Sequence, residues 1–161
     1  MKVSILLGWL LWLVRLRKTP CPVAKDPDCH SFCCPLIHRF VKNIEKTITN
    51  TPGILSSNIQ KQFGPDSETV YLKGNFIFID SSVLEIAIFA NNILDTVAID
   101  KYRFHYIGKK GQMIFRYDNA PHHHEITSFP HHKHTTNAVI HATMPSLKDV
   151  LNEISAFIIG K

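Results

Sequence analysis

The chain has 161 residues, enough for one domain with a core of ordinary size and too few for a second. A hydrophobic content of 45% with ten phenylalanines excludes a disordered chain. The formal net charge of +5 at pH 7 favours a partner that carries phosphate groups, most plausibly nucleic acid. A solvated surface that only keeps the protein soluble is the alternative.

The first 35 residues differ in composition from the rest and are interpreted separately. Residues 3–14 are almost all apolar and are followed at once by Arg15, Arg17 and Lys18. This run is too short for a standard membrane span, and its basic cluster lies on the wrong side for a signal peptide. Three interpretations remain: a membrane-surface segment, a poorly fitting export signal, and an extension that results from a start codon assigned too early. We favour the third. We expect a single domain at residues 36–161, and no membrane contact unless residues 1–18 are translated.

The domain is predicted to begin with an amphipathic helix and to continue into strands. Residues 50–53, Asn-Thr-Pro-Gly, end the helical pattern, and residues 54–63 are ambiguous between a strand and a short helix. Residues 71–80 and 83–89 are typical of a first hairpin. The apolar positions that recur every four residues in the helix are Leu36, Phe40, Ile44 and Ile48.

A second hairpin is predicted from strands at residues 101–107 and 112–118. Pairing Ile107 with Gln112 places aromatic and apolar residues opposite each other on one face, which marks the core side of the sheet. The pairs on this face are Tyr106 with Met113, Phe104 with Phe115, and Tyr102 with Tyr117.

The other face of this hairpin is charged. The same register places Arg103 opposite Arg116, and two opposed arginines repel each other unless an anion lies between them. That anion is either Glu85 of the first hairpin or a bound phosphate, which guanidinium groups hold with paired hydrogen bonds. The remaining pairs on this face are Lys101 with Asp118 and His105 with Ile114.

The end of the chain is predicted to add a short strand at residues 137–142 and a closing helix. Ser146 is placed to cap this helix, and Asp149 lies in its first turn. The fold class is therefore α+β, with an antiparallel β-sheet of about five strands covered on one face by an N-terminal and a C-terminal helix. The charged face of the second hairpin would be the uncovered one.

Six of the ten histidines lie in the segment YDNAPHHHEITSFPHHKH, residues 117–134, which is the strongest functional signal in the chain. Four interpretations are open. The histidines form a metal-free ribonuclease site together with the arginines, or they hold zinc or another transition metal. They bind nucleic acid or a partner protein without chemistry, or they fix a proline-bounded loop. Adjacent histidines in a tight loop point in different directions, which disfavours the metal interpretation.

The string from residue 101 to 134, KYRFHY…GQMIFRYDNAPHHHEITSFPHHKH, resembles the TumE family of toxins from type II toxin–antitoxin pairs. Residues 71–85 resemble that family's first hairpin and residues 146–153 its last helix, and nothing before residue 35 is similar. His124 stands where the family has proline, and Ser81 stands where it has a turn glycine. The resemblance implies a small cytoplasmic toxin, and a cognate antitoxin with a helix-turn-helix as its partner. It does not by itself give the reaction, and action on RNA or translation is expected by analogy with other small toxins.

The sequence and the resemblance together assign the candidate site. The predicted catalytic residues are His105, His131, His132, Lys133 and His134. The residues predicted to bind phosphate or RNA are Lys101, Arg103 and Arg116. The residues predicted to support them are Glu85, Asp118, Asn119, His122, His123 and Glu125. We expect an endoribonuclease-like toxin with no metal ligands and no cofactor, zinc being the alternative cofactor. The alternative functions are a histidine-rich metal-binding hydrolase and a non-catalytic module that binds protein or nucleic acid.

Overall fold

The computed structural model describes residues 35–160, so the interpretations of the N-terminal extension fall on residues outside the described part. Neither of the two helices in that part is long and apolar enough to cross a membrane. The elements are α1 (Leu36–Thr49), β1 (Ile54–Phe63), β2 (Thr69–Phe78), β3 (Val83–Ile93), β4 (Thr96–Ile107), β5 (Met113–Asp118), β6 (His132–Thr135), β7 (Val139–His141) and α2 (Leu147–Ile159).

The strands form one antiparallel sheet in which neighbours follow the order of the sequence. The α+β class is confirmed, but the described sheet has seven strands rather than about five. One of the additional strands, β6, lies inside the segment that was interpreted as a histidine loop. Its sequence His-Lys-His-Thr contains one residue typical of strands, Thr135, so only its pairing with β5 reveals it.

The core lies between one face of the sheet and the two helices. Strand β2 shows the underlying alternation, because every second residue from Val70 to Phe78 is buried and the residues between them are exposed. Buried residues of α1, α2 and strands β2 to β5 form a single hydrophobic cluster, which confirms that both helices cover the same face. The opposite face is left for charged and polar side chains.

The helices begin and end close to the predicted positions. Helix α1 ends before Asn50, but its buried residues are Ile37, Val41 and Ile48, so its core-facing stripe is rotated by about one residue from the predicted one. Ser146 caps α2 in a reciprocal capping box with Asp149, as predicted. Ser81, which replaces the usual turn glycine, adopts a positive φ of 65°, a conformation that glycine takes without strain.

The predicted register of the second hairpin is wrong by two residues. Arg103 pairs with Asp118 and His105 pairs with Arg116, so the two arginines are not opposite each other. At the turn, Ile107 pairs with Met113, one residue away from the predicted partner. An irregularity between Tyr106 and Ile107 adds the second residue of the shift. Because a shift of two residues preserves the alternation of the strand, the paired residues 103–106 and 115–118 lie on the faces predicted. Ile114, predicted on the charged face opposite His105, packs against the core instead.

Candidate functional site

Strand pairing arranges most of the predicted site residues in two neighbouring rows on the face opposite the helices. The first row crosses strands β3 to β6 through Glu85, His105, Arg116 and His134. The second row crosses strands β4 to β6 through Arg103, Asp118 and His132. The rows are two residues apart along each strand, so their side chains lie on the same face. Residues from four separate strands thus form one polar surface.

Asp118 lies at the centre of this surface and is only 4% exposed. Its Oδ2 atom accepts a hydrogen bond from Arg116 Nε at 2.7 Å, and its Oδ1 atom accepts one from the backbone N–H of Ala120 at 3.1 Å. Burial by itself would raise the pKa of Asp118, but the Ala120 N–H and the Arg116 guanidinium outweigh it and lower that pKa. A permanent negative charge therefore holds Arg116 in place.

Glu85, the glutamate of the first row, lies beside one arginine and one histidine. Glu85 Oε2 is 3.9 Å from Arg103 Nη2 and 3.5 Å from His105 Nδ1. The internal anion proposed from the sequence is therefore present, although it lies between Arg103 and His105 rather than between two arginines. Because Arg103 and Glu85 are both well exposed, this pair holds Arg103 weakly and leaves it accessible to a ligand.

Residues 119–131 fold back over the outer face of strands β5 and β6. Asn119 fixes the start of this segment, because its side chain accepts a hydrogen bond from Tyr102 N at 3.0 Å and donates one to Asp100 O at 2.8 Å. Ser128 fixes its end by donating to His131 O at 2.6 Å and accepting from Ala142 N at 3.1 Å. The segment therefore lies on the sheet as an ordered cover.

Residues 119–131 bring two of their histidines into contact with two histidines of β6. The ring centroids of these four histidines are between 4.4 and 5.7 Å apart. One nitrogen from each ring can be chosen so that all four lie within 4.8 Å of one another. We call this group the histidine cluster; its members are His122, His123, His132 and His134.

Hydrogen bonds fix the orientation of three rings in the histidine cluster. His132 Nδ1 is 2.9 Å from Pro130 O, and His123 Nδ1 is 2.9 Å from Glu125 Oε1. His134 Nε2 is 2.8 Å from Arg116 Nη2 and must accept that hydrogen bond, because guanidinium nitrogens only donate. Burial, assisted by the charge of Arg116, lowers the pKa of His134 to about 4.

A cleft of about 710 Å³ opens beside the histidine cluster. All three cations predicted to bind phosphate line it, together with Asp118, Asn119 and one member of the cluster. The cations are Lys101, Arg103 and Arg116, and the cluster member is His122. The predicted anion-binding residues and the histidine segment therefore share one surface, as the charge pattern indicated.

Two predicted catalytic residues are not part of this surface. Lys133 donates to Glu153 Oε1 of α2 at 2.6 Å and lies over the Phe115 and Tyr117 rings, on the helix side of the sheet. His131 stacks on Tyr102, with 3.1 Å between its Nδ1 and the phenolic oxygen. The prediction treated this stretch as a loop and missed the alternation of β6, which sends Lys133 to the opposite face from its two histidine neighbours.

A known protein family matches most of the chain. The family model described as Toxin TumE matches residues 44–160. The chain belongs to the TumE toxin family. The match includes both rows, the cleft and the histidine cluster, and membership implies a toxin function and, in general, an antitoxin partner. Neither the search of curated proteins nor the search of solved structures found a match.

Within this TumE chain, the prediction gave His122 and His123 a supporting role, whereas the structure places both in the cluster and His122 in the cleft as well. No spacing rule could have selected them, because their neighbour His124 lies instead against Phe129, with ring centroids 4.4 Å apart. The one available signal was the family's proline at the position of His124, which already set that residue apart.

Proposed function

We propose that this chain is the toxin of a type II toxin–antitoxin pair and that it cleaves RNA in the cleft, in the cytoplasm. The convergence of Lys101, Arg103 and Arg116 on the cleft carries the proposal. Guanidinium groups bind phosphate oxygens through paired hydrogen bonds, and a lysine adds a compact positive charge. The buried carboxylate of Asp118 orients Arg116, so part of this phosphate site is formed before RNA binds.

Two imidazoles beside Arg116 are suited to the proton transfers. His105 on β4 lies opposite Arg116, and His122 lines the cleft together with Arg116. One removes the proton from an RNA 2′-hydroxyl, whose oxygen attacks the adjacent phosphorus. The other donates a proton to the departing 5′ oxygen, so the products carry a 2′,3′-cyclic phosphate and a 5′-hydroxyl. His134 is assigned neither role because its Nε2 atom already accepts a hydrogen bond from Arg116.

Neither step needs an activated water molecule, so this reaction does not require a metal ion. The arginines stabilise the charge that develops on the phosphorane, a contribution that is large when the donors are held in position beforehand. Glu85 Oε2 lies 3.5 Å from His105 Nδ1 and can orient that ring. We assign the acid role to His105 and the base role to His122.

The test uses the purified full chain with single-stranded RNA in the presence of EDTA. We expect cleavage with cyclic phosphate ends, and a rate for His105→Ala that is lower by about 10²- to 10⁴-fold with RNA binding retained. Arg103→Gln is expected to weaken RNA binding and to reduce its dependence on salt. Lys110→Gln is the matched control, since it removes the same charge from the exposed turn between β4 and β5.

Three outcomes would contradict this proposal. Cleavage that is absent in EDTA and restored by zinc or manganese would indicate a metal-dependent hydrolase. RNA or protein binding with no cleavage under any condition would indicate a non-catalytic binding module. If the His105→Ala variant and the Arg103→Gln variant both remain fully toxic in cells, the active site lies elsewhere.

The partner is proposed to be an antitoxin that contains a helix-turn-helix and is encoded next to the toxin. We expect expression of the chain alone to arrest growth and co-expression of the neighbouring reading frame to restore it. The neighbouring protein should co-purify with the chain and suppress RNA cleavage by it. Growth arrest that no neighbouring reading frame relieves would contradict the pairing while leaving the RNA-cleavage test unaffected.

A further inference from the structure

We propose that the histidine cluster is a binding site for one divalent transition-metal ion. The nitrogens of four imidazoles around tetrahedral zinc, each at about 2.0–2.1 Å from the ion, lie about 3.4 Å apart. The four candidate nitrogens here are within 4.8 Å of one another, and the exposed His122 ring can move closer to the other three. The proposal concerns a bound ion and does not rest on the proposed RNA cleavage.

The buried ring of His132 provides a second, independent observation. This residue is 1% exposed, and the Nδ1 proton is used in the 2.9 Å hydrogen bond to Pro130 O. The Nε2 atom of the neutral ring then carries a lone pair, and no hydrogen-bond partner for it exists among residues 35–160. Asp118 Oδ1 lies 3.0 Å away but outside the direction a hydrogen bond requires.

An unpaired polar atom in a buried position is rare in folded proteins and destabilises them. In this case a carboxylate oxygen also lies 3.0 Å from the unprotonated nitrogen of His132, and the two electron-rich atoms repel each other. A cation bound at Nε2 would remove both costs, because it accepts the lone pair and attracts the carboxylate. The Asp118 carboxylate also supplies negative charge beside four neutral ligands.

The environment of His123 has the same character. Its Nδ1 atom is 2.9 Å from Glu125 Oε1, which directs the Nδ1 proton to the carboxylate and leaves Nε2 as the free nitrogen. A carboxylate bound to the far nitrogen of a histidine fixes its tautomer and raises its basicity as a metal ligand. Two of the four rings thus have the second hydrogen bond that histidine ligands typically have.

The donor set determines the kind of ion. Imidazole nitrogens suit zinc, copper, nickel and iron, whereas calcium and magnesium prefer oxygen ligands. Among residues 35–160, Arg116 is the opposing charge in contact with the cluster, through its 2.8 Å hydrogen bond to His134 Nε2. An ion bound to that atom takes the place of this hydrogen bond, while the Nε atom of Arg116 remains on Asp118 at 2.7 Å.

The test is a zinc titration of the full chain, purified without a histidine tag and freed of metal with EDTA, followed by calorimetry. We expect one zinc ion per chain, no binding of magnesium, and a visible absorption spectrum of tetrahedral nitrogen coordination when cobalt replaces zinc. His123→Ala and His132→Ala should each weaken zinc binding by about 100-fold or more, and Glu125→Gln by about 10- to 100-fold. His124→Ala and His141→Ala are matched controls outside the cluster and should bind zinc like the parent.

His132→Ala removes a buried side chain and can fail to fold, in which case His123→Ala carries the test because its ring is partly exposed. Two results would overturn the proposal. One is the lack of stoichiometric zinc binding by the folded parent chain. The other is a loss of affinity in His124→Ala equal to that in His123→Ala, which would indicate unspecific binding to a histidine-rich surface. Neither result depends on whether the chain cleaves RNA.

Discussion

Arg116 and His134 lie directly opposite each other on β5 and β6, with 2.8 Å between Nη2 of the arginine and Nε2 of the histidine. This contact joins the cationic hairpin to the histidine segment within the sheet itself. The same guanidinium also donates to Asp118 through Nε at 2.7 Å. The planar group of an arginine can make both contacts at once, and the single ammonium of a lysine cannot reproduce their geometry.

Arg116→Lys is therefore expected to destabilise the fold although it preserves the charge. It leaves Asp118 Oδ2 or His134 Nε2 without its hydrogen bond from Arg116, and an unsatisfied buried polar atom costs about 1–3 kcal/mol. The free energy of unfolding, measured by urea denaturation, should fall by that amount. Arg39→Lys on the exposed surface of α1 is the matched control and should be neutral. Equal stability of both variants and the parent would show that the two Arg116 contacts contribute little.

Lys133→Met is expected to leave RNA cleavage unchanged and to reduce stability slightly. The substitution keeps an apolar side chain over Phe115 and Tyr117 but removes the hydrogen-bonded ion pair with Glu153. A partly exposed pair of this kind contributes about 0.2–1 kcal/mol. Thermal denaturation and a cleavage assay on the same preparation check both parts. A large loss of cleavage with an unchanged melting temperature would return Lys133 to the catalytic site.

Ser146→Ala is expected to destabilise α2 by about 1 kcal/mol, the usual effect of removing a helix cap. The Ser146 hydroxyl accepts a hydrogen bond from Asp149 N, and the Asp149 carboxylate accepts from the Ser146 backbone N–H at 3.0 Å. Ser155→Ala is a control within the same helix, because that hydroxyl only bonds back to Leu151 O. A shift in the urea midpoint for Ser146→Ala alone would confirm the cap.

The same cap makes the stability of the domain depend on pH. Hydrogen bonds from the Ser146 side chain, and then from its backbone, hold the pKa of Asp149 below its ordinary value. A carboxyl group whose pKa is lowered by folding contributes its full stabilisation of the folded state above its unfolded pKa, which is about 3.9 for aspartate. This contribution is lost as the pH falls through the pKa of the folded state. The difference in urea midpoint between the parent and Asp149→Asn should therefore be largest at neutral pH and shrink under acid conditions. A difference that is constant with pH would contradict this assignment.

Zinc at saturating concentration is expected to suppress RNA cleavage if both the proposed function and the metal site are correct. The ion would take the lone pair of His122, which the proposed reaction needs as its base. Cleavage should return on addition of EDTA, and zinc should inhibit His123→Ala much less than the parent. Activation by zinc would instead identify the cluster as part of a metal-dependent active site.

Several elements of the fold could be predicted because they depend on local patterns. The alternation of polar and apolar residues in residues 103–106 and 115–118 identified the charged face and the core face correctly, even though the register was wrong. The register depends on an irregularity at Tyr106 and Ile107 that has no signature in the sequence. Strand β6 was missed for a related reason, since its polar residues form a strand only because β5 offers an edge to pair with.

The sequence by itself determined the α+β class, the cationic hairpin, the cap of α2 and the histidine-rich motif that identifies the family. These features follow from periodicity, charge and motifs, all of which depend on residues that are close together in the sequence. Only the tertiary structure decided which four histidines meet, because that depends on the return of residues 119–131 over the sheet and on the alternation within β6. It also separated Lys133 from the site, since the face on which a strand residue lies is set by the pairing of the whole strand.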